Sequence, residues 1–213
     1  MGGNRQIAKN TAFLYLRMFV VLVVSLYTSR IVLHALGVVD YGIYNVVAGF
    51  VSLFSFLEGT LSAGIQRFYN YEQTRKGPDG FRKVYSEGLR IQAAVSAILL
   101  MLLETAGLWY VNHVMVIPPE RLRAANFLFQ FSSLSLLMVM MQVPFNGAII
   151  ARERMGVFAV INIIEVLLKL GIAFLLTACS SDRVILYGLL LMCVTALSTL
   201  MMIVHCRIHF QEM

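Results

Sequence analysis

Arg17, Arg30 and His34 stand within or beside a stretch, NTAFLYLRMFVVLVVSLYTSRIVLHAL, whose middle from Met18 to Ser29 carries no charge. Cations on an apolar helix do one of two things. They reach back along their own stems to the nearer polar interface, or they line an enclosed space and recruit an anion such as a phosphate. Thirteen residues separate Arg17 from Arg30, about 220° around a helix and about 20 Å along it, so the two do not form one clamp. His34 lies one turn beyond Arg30, on the same face. Glu165 and Lys169 form a second constellation, an i,i+4 pair in the favourable order, with Asn162 one turn earlier. A charge in the middle of an apolar span is costly, so the pair either neutralises itself to fix helix packing or faces a cavity.

The remaining polar candidates carry less. Glu58 and Glu104 fit ion or proton coupling, or equally a neutral hydrogen-bonded packing role. His205 and His209 are i,i+4 beside Cys206, a spacing compatible with a metal, but at a helix end they read as a basic boundary. Cys179, Cys193 and Cys206 have no ligand spacing and behave as small hydrophobes. No nucleophile–base pair, phosphate loop or pair of catalytic carboxylates stands out, so the expectation is a non-enzyme without cofactor or metal.

The elements that must hold these side chains follow from composition. The 213 residues are 59% hydrophobic and 13% charged, with a mean hydropathy of +0.79. Soluble domains are far more charged, so this reads as an all-α integral membrane protein. The net charge of +6 is not a nucleic-acid signal, because the cations lie between long apolar runs. Six spans are expected at about 11–36, 41–65, 86–109, 124–149, 157–178 and 184–206, in a single domain.

With the N-terminus inside, Arg5, Lys9, Arg67, Arg75, Lys76, Arg82, Lys83, Arg90, Arg152, Arg154 and Arg207 are cytoplasmic. Arg121, Arg123 and Arg183 are outside. Eleven against three puts both termini in the cytoplasm. Gly37 to Asp40 is a tight outer turn. The polar run QRFYNYEQTRKGPDGFRK is an inner connector turning at Gly77-Pro78-Asp79-Gly80. Pro144 predicts a kink or an unwound turn in the fourth span. The first span is too long for a signal sequence and is expected to stay in the mature chain.

Three segments carry a resemblance. TSRIVLHALGVVDYGIYNVVAGFVSLFSFL with SAGIQRF, then IPPERLRAANFLFQFS, then VPFNGAIIARERMGVFA resemble bacterial polysaccharide and O-antigen flippases. These belong to the multidrug/oligosaccharidyl-lipid/polysaccharide exporter superfamily. The resemblance implies alternating access in the bacterial inner membrane, moving undecaprenyl-pyrophosphate-linked oligosaccharide from the cytoplasmic to the periplasmic leaflet for polysaccharide or lipopolysaccharide biosynthesis. It makes Arg30 the first candidate for the pyrophosphate, with Arg17 behind it; Lys169 rests on the residues alone.

Such exporters have about twelve to fourteen helices in two lobes, and six correspond to one lobe. The chain is therefore expected to be an N-terminal part whose cavity is closed by a second lobe. Expected partners are the lipid-linked oligosaccharide, membrane lipids, the second lobe and a glycan polymerase or glycosyltransferases. Two other readings stay open: half of a cation-coupled multidrug exporter, which would rely on acidic residues such as Glu58, and a non-transporting membrane scaffold of a glycan assembly complex.

Overall fold

The computed structural model describes the backbone of residues 2–151, 155–179 and 182–209, with side chains except those of 2–10, 70, 73–74, 76–82, 151 and 155. Of the cations counted for orientation, the side chains of Arg5, Lys9, Lys76, Arg82, Arg152 and Arg154 thus lie outside the described residues. The described chain is almost entirely helical, apart from short connectors such as residues 114–118. Helix α1 is Gly2–Ser52, α2 Phe56–Leu102, α3 Leu108–His113, α4 Leu122–Ala151, α5 Met155–Ala178 and α6 Arg183–His209. Among the described residues, five helical stretches are long and apolar enough to cross a membrane: Thr11–Tyr69, Lys83–His113, Pro119–Ile150, Gly156–Ala178 and Arg183–His209. The protein is thus built as a multi-pass membrane protein.

The first of these stretches is 59 residues long, more than any bilayer requires. Gly37 breaks it, with φ 79° and ψ 170°, a left-handed conformation that only glycine adopts at no steric cost. The chain folds back there. Ser25 and Ser52 line one cavity, whereas a straight helix would hold them about 40 Å apart. The carbonyl of Ala35, freed by the break, accepts a hydrogen bond of 2.7 Å from Arg183 Nη1. The glycine turn expected from GVVD is therefore present.

The expected inner connector is corrected in part. Helical backbone continues into it from both sides, as α2, because nothing in RFYNYEQTR stops a helix before the Gly77-Pro78 pair. The reversal is nonetheless real. Tyr69 and Tyr85 have ring centroids 6.4 Å apart, and a methyl added to Gly88 would lie 3.8 Å from Ile65. Twenty-three residues of straight helix would separate those two by about 35 Å. The side chains of the Gly-Pro-Asp-Gly segment lie outside the described residues.

Helix α4 is the central post. It packs against α2 on one side and α6 on the other, while α1 packs against α5. Every residue from Gln142 to Ile149 is buried, and Gln142 Nε2 donates to Thr199 Oγ1 across the α4–α6 contact at 2.7 Å. Pro144 lies inside this run, yet the helix continues to Ala151. The expected unwound turn is absent because packing on both sides holds the backbone through the one hydrogen bond that proline removes. Irregularity appears instead at Leu103–Gly107, a π-helical turn where Gly107 meets the ring of Phe129.

At one end of the bundle a charge cluster ties three connectors together. Arg121 donates to Asp40 at 2.9 Å and to Asp182 at 3.2 Å. Asp182 also accepts from the backbone N–H of Val184, capping the start of α6. The Asp40 side chain is 11% exposed against 38% for Arg121, so the pair lies between a surface bridge and a buried one. Arg121→Ala is expected to destabilise the fold by about 1–2 kcal/mol, mostly by leaving Asp40 enclosed and unpaired. Thermal unfolding in detergent measures this. Asp40→Asn in the same background should recover most of the loss, and no recovery would mean that Asp40 is not the partner that matters.

Candidate functional site

A cavity of about 530 Å³ opens between α1, the segment after Gly37, α4, α5 and α6. Its walls are unusual for apolar helices in carrying many hydroxyls: Ser25, Thr28, Ser29, Ser52, Ser55, Ser132, Ser135 and Thr195, with Tyr41, Tyr44, Tyr187 and Asn45. The sequence sets them out at helical spacings of three and four, which puts each group on one face. Among the described residues, Lys169 is the one cationic residue of the lining.

The hydrogen bonds of these walls decide what they offer. Thr28 donates to the Val24 carbonyl at 2.7 Å, Ser29 to Ser25 at 2.9 Å, Ser52 to Gly49 at 2.7 Å and Ser55 to Ser52 at 2.6 Å. Ser135 donates to Phe131 at 2.8 Å, and Thr195 to Leu191 at 3.1 Å. Each of these six hydroxyls spends its proton on its own helix and keeps oxygen lone pairs for the cavity. The lining is thus rich in acceptors and suits a ligand that is itself rich in donors, such as a polyol. Lys169 adds donors at one point. Its Nζ lies 2.7 Å from Glu165 Oε1, and the side chains are 36% and 22% exposed. One of three ammonium protons is directed at Glu165, and the others remain for a ligand.

The predicted residues divide among several places. Glu165 and Lys169 form the expected pair beside the cavity. Glu58 is half-buried, within electrostatic reach of Glu165. Arg17 and Asn162 come together elsewhere along the α1–α5 seam, with Arg17 Nη2 3.4 Å from Asn162 Oδ1 and the guanidinium 4.6 Å from the centre of the Phe158 ring. Asn162 thus serves Arg17, although it shares a face of α5 with Lys169.

Arg30 and His34 are exposed on α1 and are not part of the cavity lining. Glu104 lies in the π-helical turn and accepts from Gln130 at 3.0 Å. Pro144 is in the core. The His205 and His209 rings stack at 4.2 Å, and no group of three metal-ligating side chains occurs among the described residues. The serine-lined walls are what residue-by-residue reading missed. Their signal was the repeat of Ser and Thr at helical spacing around Ser25, Ser52 and Ser132. Comparison with protein-family models, curated proteins and solved structures yields no match.

Proposed function

We propose that this chain is one helical lobe of an exporter that moves an undecaprenyl-pyrophosphate-linked oligosaccharide from the cytoplasmic to the periplasmic leaflet. The observation that carries the reading is the acceptor-rich, hydroxyl-lined cavity with Lys169 at its wall. Sugars present many hydroxyl donors, and pyrophosphate needs a cation; this site offers both kinds of partner. A volume of about 530 Å³ admits a headgroup or a short saccharide, within the range of small-ligand pockets. The resemblance of TSRIVLHALGVVDYGIYN and VPFNGAIIARERMGVFA to polysaccharide flippases points the same way. Arg30 and His34, exposed here, are available to a second lobe.

In this reading the Gly37 break divides the first long stretch, so that the chain crosses six times with both termini cytoplasmic. Single cysteines test that topology in a background lacking Cys179, Cys193 and Cys206. Val38→Cys is expected to react with an impermeant thiol reagent added outside, and Lys83→Cys only after the membrane is opened. The reverse pattern would overturn the orientation. The function itself is tested by deletion in the native cell. Surface glycan should be lost while its lipid-linked precursor accumulates, and the wild-type gene should restore export. Unchanged surface glycan would sink the proposal.

A second reading, a cation-coupled drug exporter, draws on the proximity of Glu58 to Glu165. It expects Glu58→Gln to abolish drug resistance conferred by the protein, with surface glycan unaffected by deletion.

A further inference from the structure

We propose that Arg17 anchors the phosphate of an acidic phospholipid whose acyl chain lies along α1, at a site separate from the hydroxyl-lined cavity. The guanidinium is only partly served by the protein. Among the described residues it pairs with no carboxylate. Its Nη2 makes a long contact of 3.4 Å with Asn162, it lies over Phe158, and its enclosed Nε has no hydrogen-bond partner. Lys169, by contrast, carries its own counter-charge at 2.7 Å. A half-buried cation that no carboxylate neutralises calls for an anion from outside the chain, and a phosphate oxygen accepts from a guanidinium in the geometry Arg favours.

The surroundings specify the rest of the ligand. A trough of about 690 Å³ runs along one stripe of α1 from Leu14 and Arg17 through Leu22 to Ser29. Arg17 to Ser29 is about 18 Å of helix, close to the half-thickness of a hydrocarbon core of about 30 Å. The trough is thus about one leaflet long, with its cation at the end nearer the N-terminus. Met18 and Leu26 in its lining and Phe19 beside it are exposed, as lipid-facing side chains are. A charged headgroup at one end and a single-leaflet apolar path at the other match a phospholipid of the leaflet nearest the N-terminus. A net negative headgroup is favoured over a zwitterionic one, whose ammonium would stand beside Arg17.

Native mass spectrometry of the full chain in mild detergent tests this. Phosphatidylglycerol and phosphatidylcholine with identical acyl chains are the probes. Wild-type protein is expected to retain phosphatidylglycerol about five-fold better. Arg17→Gln should abolish the preference, Arg17→Lys should keep part of it, and Lys169→Gln should leave it unchanged. Equal retention by wild type, or an undiminished preference in Arg17→Gln, would overturn the site. Loss of the preference in Lys169→Gln would place the phosphate in the cavity instead and overturn it too.

If Arg17→Gln does not fold, Leu22→Trp in a Trp109→Phe background keeps Arg17 in place. Its fluorescence should then be quenched more by brominated phosphatidylglycerol than by brominated phosphatidylcholine. Equal quenching would overturn the proposal.

Discussion

Lys169→Ala is expected to lower glycan export about ten-fold or more, and restoring the neutrality of its surroundings should not bring export back. A hydrogen bond to a charged group contributes about 1.5–3 kcal/mol, and about 1.4 kcal/mol is a factor of ten. The single variant alone is ambiguous, because Lys169 also neutralises Glu165 at 2.7 Å and Glu58 is close by. Removing the ammonium leaves the Glu165 carboxylate without its counter-charge, with Glu58 within electrostatic reach. Loss of one partner from a buried pair costs about 3–5 kcal/mol; with Lys169 36% and Glu165 22% exposed, about 1–3 kcal/mol is the expectation here. Export could then fall simply because less protein folds.

The double variant Lys169→Ala with Glu165→Ala separates the two causes. It removes both charges, so thermal unfolding in detergent should return most of the way to wild type. If Lys169 meets the substrate, export stays low in this stable protein. If the pair only fixes helix packing, export recovers with stability, and the role in substrate contact is lost. Lys169→Arg adds a third point, because a guanidinium keeps the charge and should retain part of the export.

What could be read from residue order alone, and what could not, follows from the range of the forces involved. The apolar stretches were legible because hydrophobicity accumulates over twenty residues. Four expected spans lie within stretches the structure shows as helical, each with its ends moved outward by a few residues at most. The Gly37 turn was legible because glycine before a polar aspartate is a local signal. At Pro144 the local rule allows a kink or an unwound turn, and the second does not occur because the helix runs on to Ala151. What keeps the turn from unwinding is the burial of Gln142 to Ile149, which no local rule contains.

Pairings between helices were the least legible. Asn162 lies as well placed in sequence to help Lys169 as to help Arg17, and only the rotation of α1 against α5 decides for Arg17. The serines of the cavity wall were hidden by a different ambiguity. In lipid, Ser and Thr let helices approach closely as readily as they line polar space. Spacing shows that they share a face; only tertiary structure shows whether that face meets a helix or a cavity.

That same ambiguity makes Gly188 the place where packing and cavity are tied together, and where a large loss of stability is expected to reach the cavity wall. A methyl added there would lie 2.8 Å from Leu128 Cδ1, 3.3 Å from Phe131 Cδ2 and 3.7 Å from Leu128 Cα. Leu128 is fully buried, so the contact is relieved only if its side chain shifts toward the cavity it lines. Gly188→Ala is expected to cost about 1–3 kcal/mol by overpacking, and Gly188→Val more, because the nearness of the Leu128 backbone forces α4 and α6 apart.

The control is Gly171→Ala, whose added methyl meets nothing within 4 Å; relieving a helical glycine there should stabilise by up to about 1 kcal/mol. Gly188, Tyr187 and Leu191 all line the cavity, so separating α4 from α6 also displaces the wall opposite Lys169, and export should fall together with stability. Leu128→Ala opens space at the point of conflict. In the double variant with Gly188→Ala, the combined loss of stability should be smaller than the sum of the two single losses by at least about 1 kcal/mol. Strict additivity in detergent unfolding would mean that the α4–α6 contact does not turn on this glycine.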